Sequence, residues 1–140
     1  MVDFNRVFLV GNLTRDPELR YTPQGTPVVN LRIAVNHRFK GKDGEQREET
    51  CFVTVVVWDK MAEICNQYLQ KGRQILVEGR LQSRSWQDNE GKNRNVIEVR
   101  ATRVQFMPFS SRDQQEEVNL GKEPEEEVLE LEKEDLGKAI

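Results

Sequence analysis

At 140 residues the chain has room for one domain and a tail, and a hydrophobic fraction of 36% permits a modest core while excluding a membrane protein. Its longest apolar stretch, Phe52 to Trp58, is far shorter than the roughly 20 residues a spanning helix needs, and Met1-Val2-Asp3-Phe4 lacks the basic-then-apolar order of a signal peptide. A net charge of −3 argues by itself against a nucleic-acid binder, so the placement of the charges matters more than their sum.

Most of the body reads as strands. Arg6 to Leu13 is apolar on both faces, with Gly11 predicting a bulge or sharp bend near its end. From Val28 to Val35 the pattern alternates, with Leu31, Ile33 and Val35 on one side and Asn30, Arg32 and Ala34 on the other. Phe52 to Trp58 is β-branched and aromatic, and Gln74–Leu81 and Val96–Phe106 complete five long strands. Turn residues separate them: Thr22-Pro23-Gln24-Gly25, Lys42-Asp43-Gly44 and Asn89-Glu90-Gly91. One helix interrupts the series. Met61, Ile64, Cys65 and Tyr68 fall at the spacing of an apolar helical stripe, with Asp59 as N-cap and Gly72 closing the C-terminal end. Three strands, a helix and two strands is the order of a five-stranded OB-fold barrel with its helix between strands 3 and 4. Another small α+β sheet with one helix has the same order.

After Met107 the periodicity stops. Residues 1–107 carry 17 Lys+Arg against 13 Asp+Glu, a net of +4, and residues 108–140 carry 4 against 11, a net of −7. The expectation is a mildly basic domain over 1–107 and a disordered acidic tail over 108–140, an asymmetry associated with nucleic-acid binding. Cys51 and Cys65 lie too far apart for a Cys-x-x-Cys motif and read as reduced core thiols of a cytosolic protein.

Enzymatic signatures are missing. His37 is the only histidine and has no nucleophile pattern around it. The chain lacks a phosphate loop and a dinucleotide fingerprint, and no Cys/His set has zinc spacing. The body's acidic residues are scattered. The chain therefore reads as a non-enzyme that needs no cofactor and no metal.

What remains is a set of rings among cations. Trp86 lies in the polar run Arg84-Ser85-Trp86-Gln87-Asp88, read as a loop, and Phe39 lies in another, His37-Arg38-Phe39-Lys40-Gly41-Lys42. Large flat rings beside positive charges suit base stacking and phosphate neutralisation. Phe52 and Trp58 share one strand face with Thr54 and Val56, while Val53, Val55 and Val57 make the better core face. Those two rings fit either an exposed barrel wall or packing beneath the helix or at a subunit contact. Candidate phosphate contacts are Arg32, Arg38, Lys40, Lys42, Arg47, Arg80, Arg84, Lys92 and Arg94.

Three segments resemble the bacterial-type single-stranded DNA-binding proteins: NRVFLVGNLTRDPELRYTPQGTPVVNLRIAV, VVVWDKMAEICNQYLQKG and LVEGRLQSRSWQDNEGKNR. The resemblance runs from Asn5 to about Met107. It implies an OB-fold that assembles as a homotetramer in the cytoplasm, at the nucleoid, and wraps single-stranded DNA during replication, recombination and repair. It places the stacking rings on Phe39, Phe52, Trp58 and Trp86. It also implies an acidic end closed by Pro-Phe that docks replication and repair partners. Here the final residues are Glu134-Asp135-Leu136-Gly137-Lys138-Ala139-Ile140, which departs from that pattern and puts such docking in doubt. The acidic tail is expected to compete with DNA for the basic face. On the residues alone, binding of RNA and a protein-interaction scaffold with the rings at a subunit interface stay open.

Overall fold

Val, Ile, Phe and Thr concentrate where the chain extends, because a branched or aromatic side chain packs well on a pleated surface. The computed structural model describes residues 1–108, and the tail expected beyond them lies outside the described residues. The elements are β1 (Val7–Leu13), β2 (Glu18–Tyr21), β3 (Pro27–Lys40), β4 (Gln46–Trp58), α1 (Asp59–Tyr68), β5 (Gln74–Gln87) and β6 (Asn93–Phe106). Their order in the sheet is β1-β5-β6-β4-β3-β2, and a further β1–β3 pairing closes a five-strand barrel, with β2 added along β3. Closure gives β1 a partner on both sides, so the barrel has no open edge there. The helix follows the third barrel strand, as the OB-fold order requires. All pairings are antiparallel except β4 with β6, which run parallel at Val55↔Val99 and Val56↔Arg100.

The alternation expected along β3 and β4 sets the core. Leu31, Ile33, Val55 and Val57 are at most 1% exposed and pack with Leu13, Ile75, Val77 and Val99. The intervening residues Arg32, Phe52, Thr54 and Trp58 stay half-buried on the outer wall. The valines therefore point inward and the two rings outward.

Several local expectations are corrected. The sequence pattern missed β2, a four-residue strand paired only with β3. Gly11 is paired regularly with Ile75, not bulged; a Cβ there would meet the Ala34 carbonyl oxygen at 2.8 Å, so close approach of β3 explains the glycine. The irregularity falls instead at Glu78/Gly79, where a Cβ on Gly79 would come 2.2 Å from the Arg100 carbonyl oxygen. Asp59 is not the N-cap. That position is Trp58, which makes no side-chain capping bond, and Asp59 has a left-handed φ of 63°. At the other end Leu69 is the C-cap, its N–H donating to the Cys65 carbonyl, while the Gly72 N–H reaches across to the Leu13 carbonyl. Of the expected helical stripe, Cys65 is buried and Met61 packs on the core, but Tyr68 is 61% exposed and Ala62 takes its place inside. Cys51 is exposed, not a core thiol. It stands opposite Val35 of β3 and lies beyond the residues where β6 pairs with β4.

Candidate nucleic-acid interface

Strand parity assembles one surface. Phe52 stands opposite Ala34 and Thr54 opposite Arg32, which puts all four on the outer face of β3–β4. The Arg32 Nη1 donates to Thr54 Oγ1 at 2.8 Å, and its guanidinium carbon lies 6.0 Å from the Phe52 ring centre. Trp58 is on the same face, at the end of β4. Across the parallel pair, Arg100 is level with Val56 and lays its guanidinium 5.4 Å from the Trp58 ring centre. The Trp58 Nε1 is buried without a hydrogen-bond acceptor.

The face continues onto the β5–β6 arm. Arg80 is opposite Arg100, Gln82 opposite Glu98, Arg84 opposite Val96 and Trp86 opposite Arg94. Trp86 is therefore not in a loop: β5 runs through it to Gln87. Nor is it exposed, for only 8% of it meets solvent. The Arg84 guanidinium lies over the ring at 4.8 Å. A planar cation with a long aliphatic stem can bury a ring inside a run of polar letters. Arg84 is held in turn by Glu98, Nε to Oε1 at 3.3 Å, and Glu98 is only 3% exposed. At the tip, Asp88 accepts from the Glu90 and Lys92 N–H groups at 2.9 Å each and from Arg94 Nε at 3.1 Å. These bonds, led by the Lys92 N–H, hold the Asp88 carboxyl below its ordinary value.

The β3–β4 arm differs. Phe39 also lies in a strand, since β3 extends to Lys40, but its parity is that of Ile33 and His37. It stacks with His37, ring centres 5.9 Å apart, on the face opposite Phe52 and Trp58. Three of the four candidate rings thus share a sheet face and the fourth does not. Arg38 and Lys40 do have outer-face parity and are exposed, as is Lys42 in the turn, while Arg47 pairs with Asp43 at 3.2 Å. Open clefts of about 520 Å³ beside Trp86 and about 420 Å³ beside Phe39 lie within the range of small-ligand sites. Lys92 sits 3.9 Å from Glu90 and Arg94 is paired with Asp88, so these two cations are partly neutralised at the arm tip.

Arg100 and Glu98 were not among the candidates. Arg100 directly follows the apolar Val99, and alternation alone could have placed it outward. Its meeting with Trp58 depends on the parallel β4–β6 pairing, which no local pattern announces. Among the described residues no three His, Cys, Asp or Glu side chains gather where they could hold a metal ion, and no helix is long and apolar enough to cross a membrane.

The single-strand binding protein family matches residues 4–107. A single-stranded DNA-binding protein of Wolinella succinogenes is 51% identical over 104 residues, covering 74% of this chain and 64% of that protein. Single-stranded DNA-binding protein 2 of Chlorobaculum tepidum is 46% identical over 108 residues, covering 76% and 73%. The fold is similar to a deletion mutant of the single-stranded DNA binding protein from Thermus aquaticus, with a TM-score of 0.68 and 35% identity over 75% of this chain and 51% of that one.

Proposed function

This chain belongs to the single-strand binding protein family, and from that premise we propose that it binds and coats single-stranded DNA without strong sequence preference, as a binding protein and not an enzyme. The observation that carries the reading is the shared outer face of Phe52, Trp58 and Trp86, each ring overlaid by an arginine. Bases stack on these rings, with Phe39 adding a fourth platform at the β3–β4 arm. Stacking is sequence-tolerant because every base has a π-face, and each contact contributes roughly 1–3 kcal/mol. Arg32, Arg38, Lys40, Lys42, Arg47, Arg80, Arg84, Lys92 and Arg94 track the phosphates, joined by Arg100. Arg80 and Arg100 stand directly opposite each other, a like-charge pair that is unfavourable until an anion lies between or over them.

Residues 1–107 form the binding domain, and the stretch from 108 onward, with its net of −7, competes with DNA for the basic face. The protein acts as a homotetramer in the cytoplasm, at the nucleoid, in replication, recombination and repair. Phe8, Val10, Leu81 and Ile97 are between 43% and 67% exposed on the single chain, and further copies would cover them.

A competition experiment tests the proposal. Labelled oligo-dT is expected to co-migrate with the protein and not to be displaced preferentially by an equal length of oligo-U, because only a site tuned to RNA gains from contacts to the 2′-OH. Preferential displacement by the RNA would reassign the substrate, and failure to co-migrate at low salt would reject the reading.

A further inference from the structure

Trp86 presents a contradiction to any stacking role. A base needs a bare ring face, yet only 8% of this residue is exposed. Its cover is the Arg84 guanidinium at 4.8 Å, a flat group that occupies part of a base's footprint. Arg84 is itself only 18% exposed in its side chain and is fixed from behind by Glu98, Nε to Oε1 at 3.3 Å. Gln82 Nε2 donates to the same Glu98 oxygen at 3.2 Å. Glu98 is 3% exposed, and its other oxygen is buried without a hydrogen-bond partner. The neighbouring rings are less covered. Arg32 over Phe52 is tied to a neutral threonine hydroxyl, and both Phe52 and Trp58 remain half-buried.

We propose that Arg84 is a swinging cap on Trp86, held shut by Glu98 and opened by the nucleic acid. A base takes the guanidinium's place on the indole, and a phosphate takes Glu98's place on the guanidinium. This rests on the reading that Trp86 stacks a base. The exchange suits the groups: arginine binds phosphate at least as well as carboxylate through the same planar fork, so opening trades one anion for another. The ring is then sheltered from solvent in the free protein and bared only where a strand is present. Keeping the cap shut lowers apparent affinity, since the competent state is only fractionally populated. Glu98 is in these terms a positioning residue, acting on the strand through Arg84.

The test uses the full chain carrying Trp58→Phe, in which Trp86 is the only tryptophan. Three things are read: quenching of its emission by acrylamide, quenching by saturating oligo-dT, and the salt dependence of oligo-dT binding. Glu98→Gln is expected to raise the acrylamide quenching constant of the free protein several-fold and to tighten oligo-dT binding. Should that buried change prevent folding, as read by circular dichroism, Arg84→Gln carries the test. It is expected to open the ring equally, keep the oligo-dT quench and reduce the slope of log K against log salt by about 0.7, the share of one phosphate on a single strand. Oligo-dT quenching with unchanged acrylamide access in every folded variant would overturn the cap while leaving the stacking reading intact. No oligo-dT quench in the parent would overturn the stacking reading and the cap with it.

Discussion

Arg100 of β6 lies over Trp58 of β4, guanidinium carbon to ring centre 5.4 Å, because the barrel's parallel pair sets Val56 beside Arg100. One cation therefore backs a ring and, in the function proposed above, also borders the phosphate path. Arg100→Gln is expected to weaken oligo-dT binding and to lower the salt slope by about 0.7, the contribution of one phosphate on a single strand. Trp58→Ala is expected to lose about 1–3 kcal/mol of affinity with the slope unchanged. The two titrations, repeated at several salt concentrations, separate the roles. An Arg100→Gln slope equal to that of the parent would remove Arg100 from the phosphate path.

The turn that follows Trp58 is under strain. Asp59 has a φ of 63°, a region that costs most side chains about 1–3 kcal/mol and glycine almost nothing. Thermal melts are expected to rank Asp59→Gly at or above the parent and Asp59→Val below it. A valine variant as stable as the parent would show that the turn relaxes to an ordinary conformation.

The two thiols should separate cleanly. Burial pushes the Cys65 thiol up to about 12, so it stays protonated and shielded, whereas Cys51 is exposed. A neutral-pH thiol reagent is expected to modify one cysteine per folded chain, Cys51 by peptide mapping, and both in denaturant. Rapid modification of Cys65 in the native protein would contradict the packing of α1 on the barrel.

The arm tip carries a pH dependence. Asp88 titrates below its ordinary 3.8 because its charged form is bonded by the Lys92 and Glu90 N–H groups and by Arg94. A depressed carboxyl stabilises above the unfolded value, and that stability is lost as pH falls through the folded one. Amide signals of Glu90 and Lys92 are accordingly expected to report a titration whose midpoint lies below 3.8. A midpoint above 3.8 would mean the turn is not organised around this carboxylate.

The barrel strands were legible because their inward positions are occupied by valine, leucine and isoleucine at a period of two, as at Leu31, Ile33, Val55 and Val57. The arms were not. Past Val35 and before Phe52 the ladder runs on through polar residues, held by backbone bonds between β3 and β4 that leave no apolar signature. The same is true from Gln82 to Gln87. For that reason Phe39 and Trp86 read as loop residues. The charged company of Trp86 also hid its burial, for the Arg84 guanidinium lies over a ring that is only 8% exposed. Phe39 could have been assigned to the opposite face by counting from Ala34, had the strand been known to continue. Asp59 satisfied every compositional rule for an N-cap and instead occupies a left-handed turn, a distinction that lives in one dihedral angle.

Tryptophan emission of the intact protein, titrated with oligo-dT at graded salt, tests the central claim most directly. Trp58 and Trp86 are the only indoles in the chain, and both lie on the outer face. The expected result is saturable quenching whose affinity falls linearly in log–log form with salt, by roughly 0.7 per neutralised phosphate. Emission that does not change on addition of excess oligo-dT at low salt would contradict single-strand binding by this face.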